Sequence, residues 1–111
     1  MATYTPVRLA GPAQAGTTAA SIYTVGSGKS AVIKQLILTN TSASPVPVNA
    51  YLVPVSGSAS AATAFIYQLS IAPGSEIIWS ADIPMATGEQ IYLSAGSGTS
   101  ITYIASGIEI A

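Results

Sequence analysis

The sequence is divided into short segments by turn-forming residues, and this feature limits the fold more than any other. Clusters of Gly, Pro, Ser and Asn recur about every 8–12 residues, and the stretches between them are rich in Val, Ile, Thr and Tyr. No window of a dozen residues has apolar residues at the helical period with capping signals at its ends. The sequence therefore predicts an all-β protein with seven to eight strands and no helix.

The predicted arrangement is an antiparallel β-sandwich, either a jelly roll or an immunoglobulin-like fold. The longest apolar segment, Ser30–Asn40, is interrupted only by Lys34 and Gln35, and we expect it to be the central strand. Glycine turns at 26–28 and 96–99 predict hairpins between the strands that flank them. Three prolines in and around the segment 46–55 predict an edge strand or a strand with bulged ends, and we expect the edge position, because proline cannot donate to a ladder. The other predicted strands are residues 2–9, 19–25, 64–71, 76–83, 90–95 and 100–110.

The 111 residues suit one domain, which we expect to span residues 19–111. Residues 1–18 are predicted to be an extended N-terminal arm and linker. Pro6 restricts the first part to an edge strand or free arm, and Gly11-Pro12 disfavours regular structure in the second. No basic and apolar leader is evident at the N-terminus, and no run of 18 apolar residues predicts a membrane-spanning helix.

Charge is scarce, and this argues against several functions. The chain has 3 basic and 4 acidic residues and no histidine, so 6% of its residues are charged against about 25% in typical proteins. Nucleic-acid binding requires clustered cations, which three basic residues cannot supply. A chain that is half apolar with so few charges favours a subunit whose surface is covered by other copies or by a larger assembly. A compact monomer rich in alanine is the alternative.

Catalytic and cofactor sites find little support. There is no cysteine or histidine, so the usual soft metal ligands and the usual nucleophile–base pairs are absent from the sequence. Glu76 and Asp82 are at opposite ends of one predicted strand, about 20 Å apart at ~3.3 Å per residue. The motif Gly26-Ser27-Gly28-Lys29-Ser30 resembles a phosphate-binding loop, but a strand follows it where that loop requires a helix. We therefore predict no enzyme activity and no cofactor. The sequon at Asn40 is interpreted as turn chemistry.

Candidate interface residues are taken from the arm and from the few amphipathic positions in the strands. Lys34 lies mid-strand among apolar neighbours, where it can form an ion pair across an interface or remain a solvated lysine. Tyrosine and tryptophan are enriched at interfaces and can also line a sugar-binding groove. The candidates are Tyr4, Val7, Arg8, Leu9, Lys34 and Trp79.

The order of the motifs resembles a group of small β-sandwich virion proteins of tailed bacteriophages. The segments that carry the resemblance are 7–12 (VRLAGP), 22–25 (IYTV), 29–41 (KSAVIKQLILTNT), 51–54 (YLVP), 71–75 (IAPGS), 86–92 (ATGEQIY) and 105–109 (ASGIE). The resemblance implies a structural virion protein located in a particle assembled in the host cytoplasm. The favoured role is a capsid decoration (cement) protein, forming a homotrimer and contacting the major capsid protein or tail and neck proteins. The alternative is a tail, neck or fibre component with a carbohydrate-binding sandwich.

Overall fold

Eight strands form the fold, as the alternation of residues predicted. The structure is a computed structural model that describes residues 3–111. One single-turn 3₁₀ helix, Ala61–Thr63, interrupts the strands, and no α-helix occurs in the described part of the chain. The strands are β1 (Tyr4–Gln14), β2 (Ala20–Thr24), β3 (Ser30–Asn40), β4 (Val46–Val53), β5 (Ala64–Ile71), β6 (Glu76–Met85), β7 (Gln90–Ala95) and β8 (Ile101–Ile110).

The strands pair in a nested order that identifies the sandwich as a jelly roll. Sheet 1 has the order β1-β8-β3-β6 and sheet 2 the order β2-β7-β4-β5. All the pairs are antiparallel, and the chain pairs β4 with β5, β3 with β6, β2 with β7 and β1 with β8. The chain is thus one long hairpin whose two arms run alternately through both sheets, which is the jelly-roll arrangement.

Two predicted hairpins are wrong. The turns at 26–28 and 96–99 connect β2 to β3 and β7 to β8, and in both cases the two strands lie in different sheets. Each turn therefore carries the chain across the sandwich. A glycine turn reverses the chain in either situation, so the turn residues alone do not specify the partner strand. Of the connections between successive strands, only β4 to β5 joins two strands that pair with each other.

The predicted edge position of β4 is also wrong, because β4 lies between β7 and β5. Pro47 is tolerated there since the ladder to β7 begins only at Val48, which pairs with Ala95. The Pro47 carbonyl accepts a hydrogen bond from the Gly96 amide at 2.8 Å. The nitrogen and carbonyl of one strand residue point to the same side, so the Pro47 nitrogen also faces β7, at a position beyond the end of the β4–β7 ladder. Pro45 and Pro54 flank the strand and do not enter it.

The N-terminal segment is an edge strand of sheet 1. An edge strand was one of the two alternatives predicted from Pro6, and a free arm was the other. β1 extends to Gln14, through part of the predicted linker, and pairs with β8 from Tyr4↔Ile110 to Gln14↔Thr102. Register shifts after Arg8 and after Ala10 accommodate the irregular Gly11-Pro12 sequence. The first two residues of the predicted arm lie outside the described residues.

The core lies between the sheets and is formed by the inward-facing residue of each alternating pair. Strand β3 contributes Ile33, Leu36 and Leu38, each at most 1% exposed. The opposite sheet contributes Val48, Ala50, Ile91 and Leu93, which are equally buried. At the open side between the edge strands β5 and β6, the rings of Phe65 and Trp79 meet with centroids 4.8 Å apart. This pair connects the two sheets at a side of the sandwich where their edge strands do not hydrogen-bond to each other.

Buried Asn40 fastens two loops at the end of β3. Its side-chain amide donates to the carbonyls of Ser44 and Ile71, both at 2.8 Å, and its oxygen accepts from the Ser42 amide and hydroxyl. Its backbone bonds to Ser75 and Gly74 in the turn before β6. The Asn40 side chain is fully buried, so its hydrogen bonds are formed away from water. The interpretation of the sequon as turn chemistry fits this geometry.

We expect Asn40→Ala to lower the free energy of unfolding by about 3 kcal/mol, because it leaves the buried Ile71 carbonyl without its donor and removes the loop bonds. Urea unfolding followed by tryptophan fluorescence measures the change. Ser42→Ala is the matched control, since it removes a half-buried hydroxyl from the same turn and should cost about 1 kcal/mol or less. Equal losses in the two variants would contradict the role assigned to Asn40.

Candidate interaction face

The outer face of sheet 1 is the largest surface on which the sequence-predicted candidates meet. Strand alternation points Tyr4, Pro6 and Arg8 of β1 outward, and the register aligns them with Ile110, Ile108 and Ser106 of β8. Strands β3 and β6 continue these rows across the sheet. The face is therefore described best as rows that run perpendicular to the strands.

Two of the rows are apolar. The isoleucine row consists of Ile104, Ile37 and Ile78, which are direct cross-strand neighbours on β8, β3 and β6. Ile78 is 57% exposed, and Ile37 and Ile104 are half-buried. The proline row crosses all four strands and consists of Pro6, Ile108, Val32 and Pro84. Outward-facing apolar rows of this kind are typical of a face that binds another protein.

A polar row separates the two apolar rows and has charge of opposite sign toward its two ends. This arginine row consists of Arg8, Ser106, Gln35 and Ser80. Lys34 and Asp82 lie beside it, at register irregularities in β3 and β6, and their Nζ and Oδ1 atoms are 2.8 Å apart. Positive charge thus lies on β1 and β3, and negative charge lies on β6.

A shallow groove of about 490 Å³ lies on this face between β1, β8 and β3. Pro6, Arg8, Lys34 and Ile108 line it with their side chains or backbone, and Val7, Ser106 and Gly107 complete it. Gly107 keeps two strands close together, since a Cβ at this position would lie 2.1 Å from the Val32 carbonyl oxygen. The groove is open and has one cation at each side, Arg8 and Lys34.

The six candidate residues fall into two groups. Tyr4, which is 67% exposed, Arg8 and Lys34 are on the outer face of sheet 1, and Val7 lines the groove. Leu9 and Trp79 point between the sheets, where both pack against the core. Sequence reasoning missed Ile37, Ile78, Ile104 and Ile108, because alternation does not show which isoleucines face outward until the register and the covering sheet are known.

The outer face of sheet 2 differs, since its side chains hydrogen-bond to one another. Asn49 donates to the Ser94 hydroxyl at 3.3 Å, and Thr24 donates to the Gln90 side-chain oxygen at 3.1 Å. The 3₁₀ turn Ala61–Thr63 lies against β4, where the outward-facing Tyr51 is 8% exposed. The outer face of sheet 2 thus combines hydrogen-bonded polar side chains with tyrosines such as Tyr51 and the exposed Tyr67, and it is partly covered by the 3₁₀ turn.

Residues with catalytic or ligand-binding character are dispersed over the described residues. No group of three or more carboxylate-type metal ligands occurs within residues 3–111. Gly26–Ser30 forms a turn followed by β3, so the helix that a phosphate loop requires is replaced by a strand. None of the helices in the described region is long and apolar enough to cross a membrane.

Tyr23 and Glu109 form a polar tie between the sheets at one end of the sandwich. The Tyr23 hydroxyl donates to Glu109 Oε2 at 2.7 Å, and Lys29 Nζ is 3.8 Å from the other carboxylate oxygen. Burial of the phenol, together with its hydrogen bond to the Glu109 carboxylate and the charge of that carboxylate, holds the pKa of Tyr23 well above its usual range. The neutral phenol is the form that stabilises the fold.

Comparison with known proteins gives a structural likeness without a sequence relationship. No protein-family model matches the chain, and neither does any curated protein sequence. The fold superposes on a chain from the structure of infectious bursal disease virus, Gx strain, with a TM-score of 0.53 at 12% identity over 99% of this chain. A chain from a crystallised viral particle of infectious bursal disease virus gives 0.52 at 9% identity over 98%.

The present chain spans only about a third of the matched chains, 32% and 30% of their lengths. At this level of identity the likeness concerns the fold: the jelly roll found here also occurs within larger chains of viral particles.

We expect the stability of the protein to fall as pH rises above about 10, where a tyrosine in the unfolded chain ionises while Tyr23 in the folded chain keeps its proton. Tyr23→Phe should remove part of this alkaline loss and cost about 1–2 kcal/mol at neutral pH through the lost bond to a carboxylate. Urea unfolding at pH 7 to 11 measures both effects. Tyr67→Phe, on the exposed surface of β5, is the control, and identical pH profiles for Tyr23→Phe and wild type would contradict the assignment.

Proposed function

We propose that the protein is a structural subunit of a virus particle that acts through protein–protein contacts. The observation that carries the proposal is the jelly roll itself, which superposes over nearly the whole chain on chains from viral particles. The low charge and the open apolar face of sheet 1 support it, because a subunit of an assembly has surfaces that its neighbours cover.

Within this class we propose a capsid decoration (cement) protein of a tailed bacteriophage. The support is the resemblance of the motif order to small virion proteins of such phages. The partners proposed from this resemblance are copies of the chain, as a homotrimer, and the major capsid protein or tail and neck proteins. The proposed location is the virion, assembled in the host cytoplasm.

A carbohydrate-binding role in a tail, neck or fibre component has less support. That role would place Trp79 beside an exposed tyrosine as a platform for a sugar ring. Trp79 instead stacks on Phe65 between the sheets and belongs to the edge of the core. The exposed aromatic side chains Tyr4 and Tyr67 are on β1 and β5, strands of different sheets.

A non-enzymatic role is part of the same proposal. Asp82 is paired with Lys34, and Glu109 is bound by Tyr23 and near Lys29. Glu89 accepts a bond from the Ala86 amide within a turn, which is a structural arrangement. These contacts explain three of the four acidic side chains without requiring a reacting substrate, and the fourth, Glu76, is exposed at the start of β6.

We expect the protein to be present in purified particles of its virus and to bind particles that lack it. Because the chain carries only 3 basic and 4 acidic residues, the bound fraction should change less than about twofold between 50 mM and 1 M NaCl, whereas a charge-driven interaction would weaken strongly. Sedimentation of particles with added protein, followed by quantitative mass spectrometry, measures occupancy. Absence from purified particles together with failure to bind depleted ones would contradict the proposed function.

A further inference from the structure

The open face of sheet 1 has a pattern that is complementary to itself. In the strand order β1-β8-β3-β6, the cation Arg8 is on one edge strand and the anion Asp82 is on the other. Two such faces can stack about a two-fold axis that lies between them and runs parallel to the strands. The strand order then reads in opposite directions on the two copies, so β1 of each copy lies over β6 of the other.

We infer that a second copy of this chain covers the outer face of sheet 1, in a two-fold contact that places Arg8 of each copy opposite Asp82 of the other. The isoleucine and proline rows of one copy then pack on the same rows of its partner. This inference rests on the self-assembly part of the proposed function and specifies the surface, the symmetry and the charge pair.

Charge selects this orientation over the other two-fold arrangement. With the axis perpendicular to the strands and passing through the arginine row, β1 would lie over β1 and the two Arg8 side chains would approach each other. Among residues 3–111, Arg8 forms no ion pair and is exposed on its edge strand. The contact gives Arg8 an ion-pair partner and adds a second cation to Asp82 beside Lys34, whereas like charges in contact oppose association.

The position of the groove agrees with this orientation. The groove beside Arg8 and Lys34 lies opposite the segment of β6 that contains Ser80, Asp82 and Pro84 in the second copy. Stacked sheets keep their strands within about 30° of each other, so rows can meet rows of the same kind. The four strands of sheet 2 carry no charged residue, so the outer face of that sheet cannot form a matching charge pair.

The area is sufficient for a stable dimer. Four strands at ~4.8 Å spacing give a width of about 19 Å, and the 11 residues of β3 extend over about 36 Å. Full coverage of the face therefore corresponds to a footprint of about 700 Å² per copy and about 1,400 Å² in all, within the range of specific protein–protein interfaces. A dimer through this face is compatible with a trimer formed through other surfaces of the same chain.

A charge-reversal mixture tests the contact. Arg8→Asp brings two carboxylates together at both symmetric positions, and Asp82→Arg brings two cations together, so each variant alone should self-associate at least about tenfold more weakly. A 1:1 mixture of the two variants has opposite charges at both positions and should regain association as a heterodimer. Sedimentation equilibrium, with one variant carrying a fluorescent label, measures the masses relative to the 11.1 kDa chain.

Two controls distinguish loss of the interface from misfolding and from loss of the Lys34–Asp82 ion pair. Circular dichroism should show both variants folded, since both positions are exposed. Lys34→Met removes the intrachain partner of Asp82 and should weaken self-association less than Arg8→Asp does. Failure of the mixture to associate, while the wild type does, would overturn the inference, and so would a wild type that stays monomeric at all concentrations.

The same samples distinguish this inference from the proposed function. If Arg8→Asp protein still occupies virus particles at wild-type levels, the virion role is retained, and the dimer contact is not required for it. Wild-type dimers that never associate with particles would support the dimer and contradict the virion role.

Discussion

The pairing of β3 with strands from two distant parts of the chain is the interaction on which the rest of the structure depends. Its 11 residues bond to β8 on one side and to β6 on the other, and its inward side chains are among the most buried in the protein. Because β6 and β8 follow β3 by more than thirty residues, these ladders join distant parts of the chain and enclose the intervening sheet 2 strands. Asn40, at the end of β3, hydrogen-bonds to the loop that leads from β3 into β4 and to the end of β5, from which the chain returns to β6.

The same pairing determines the character of the exposed surface. Alternation along β3 buries Ile33, Leu36 and Leu38, so Val32 and Ile37 must point outward. Strand β3 therefore supplies apolar side chains to both faces of sheet 1. Strands that are apolar on both faces are typical of sheets with both faces covered. The described chain covers the inner face only, and this asymmetry is the physical basis for assigning the outer face to another copy.

The strands could be predicted from the sequence more closely than their partners. The bounds of β3, β5 and β7 agree with the prediction, because alternation and turn residues are local signals. The partner of each strand is a long-range property, so the turns at 26–28 and 96–99 were misinterpreted as hairpins. The position of β4 was missed because a proline excludes a central strand only where a ladder needs the hydrogen that the proline nitrogen lacks. Whether Pro47 meets that condition depends on where β7 ends.

The candidate site was predicted in part for the same reason. Arg8, Lys34 and Tyr4 could be proposed because polar or amphipathic residues in an apolar strand are conspicuous, and all three are on one face. The outward isoleucines could not, since their type is common in the core. Trp79 was expected at an interface from its residue type, but its position on β6 directs the ring toward Phe65 and the core.

Single cysteine substitutions offer the most direct test of the account, because the chain has no cysteine of its own. Position 78 lies on the outer face of sheet 1, and position 21 lies on the outer edge of sheet 2; both are exposed in the single chain. The rate of maleimide labelling of Ile78→Cys should fall strongly as protein concentration rises, while that of Ser21→Cys should stay constant. Equal and concentration-independent rates at the two positions would contradict the claim that the outer face of sheet 1 is the assembly surface.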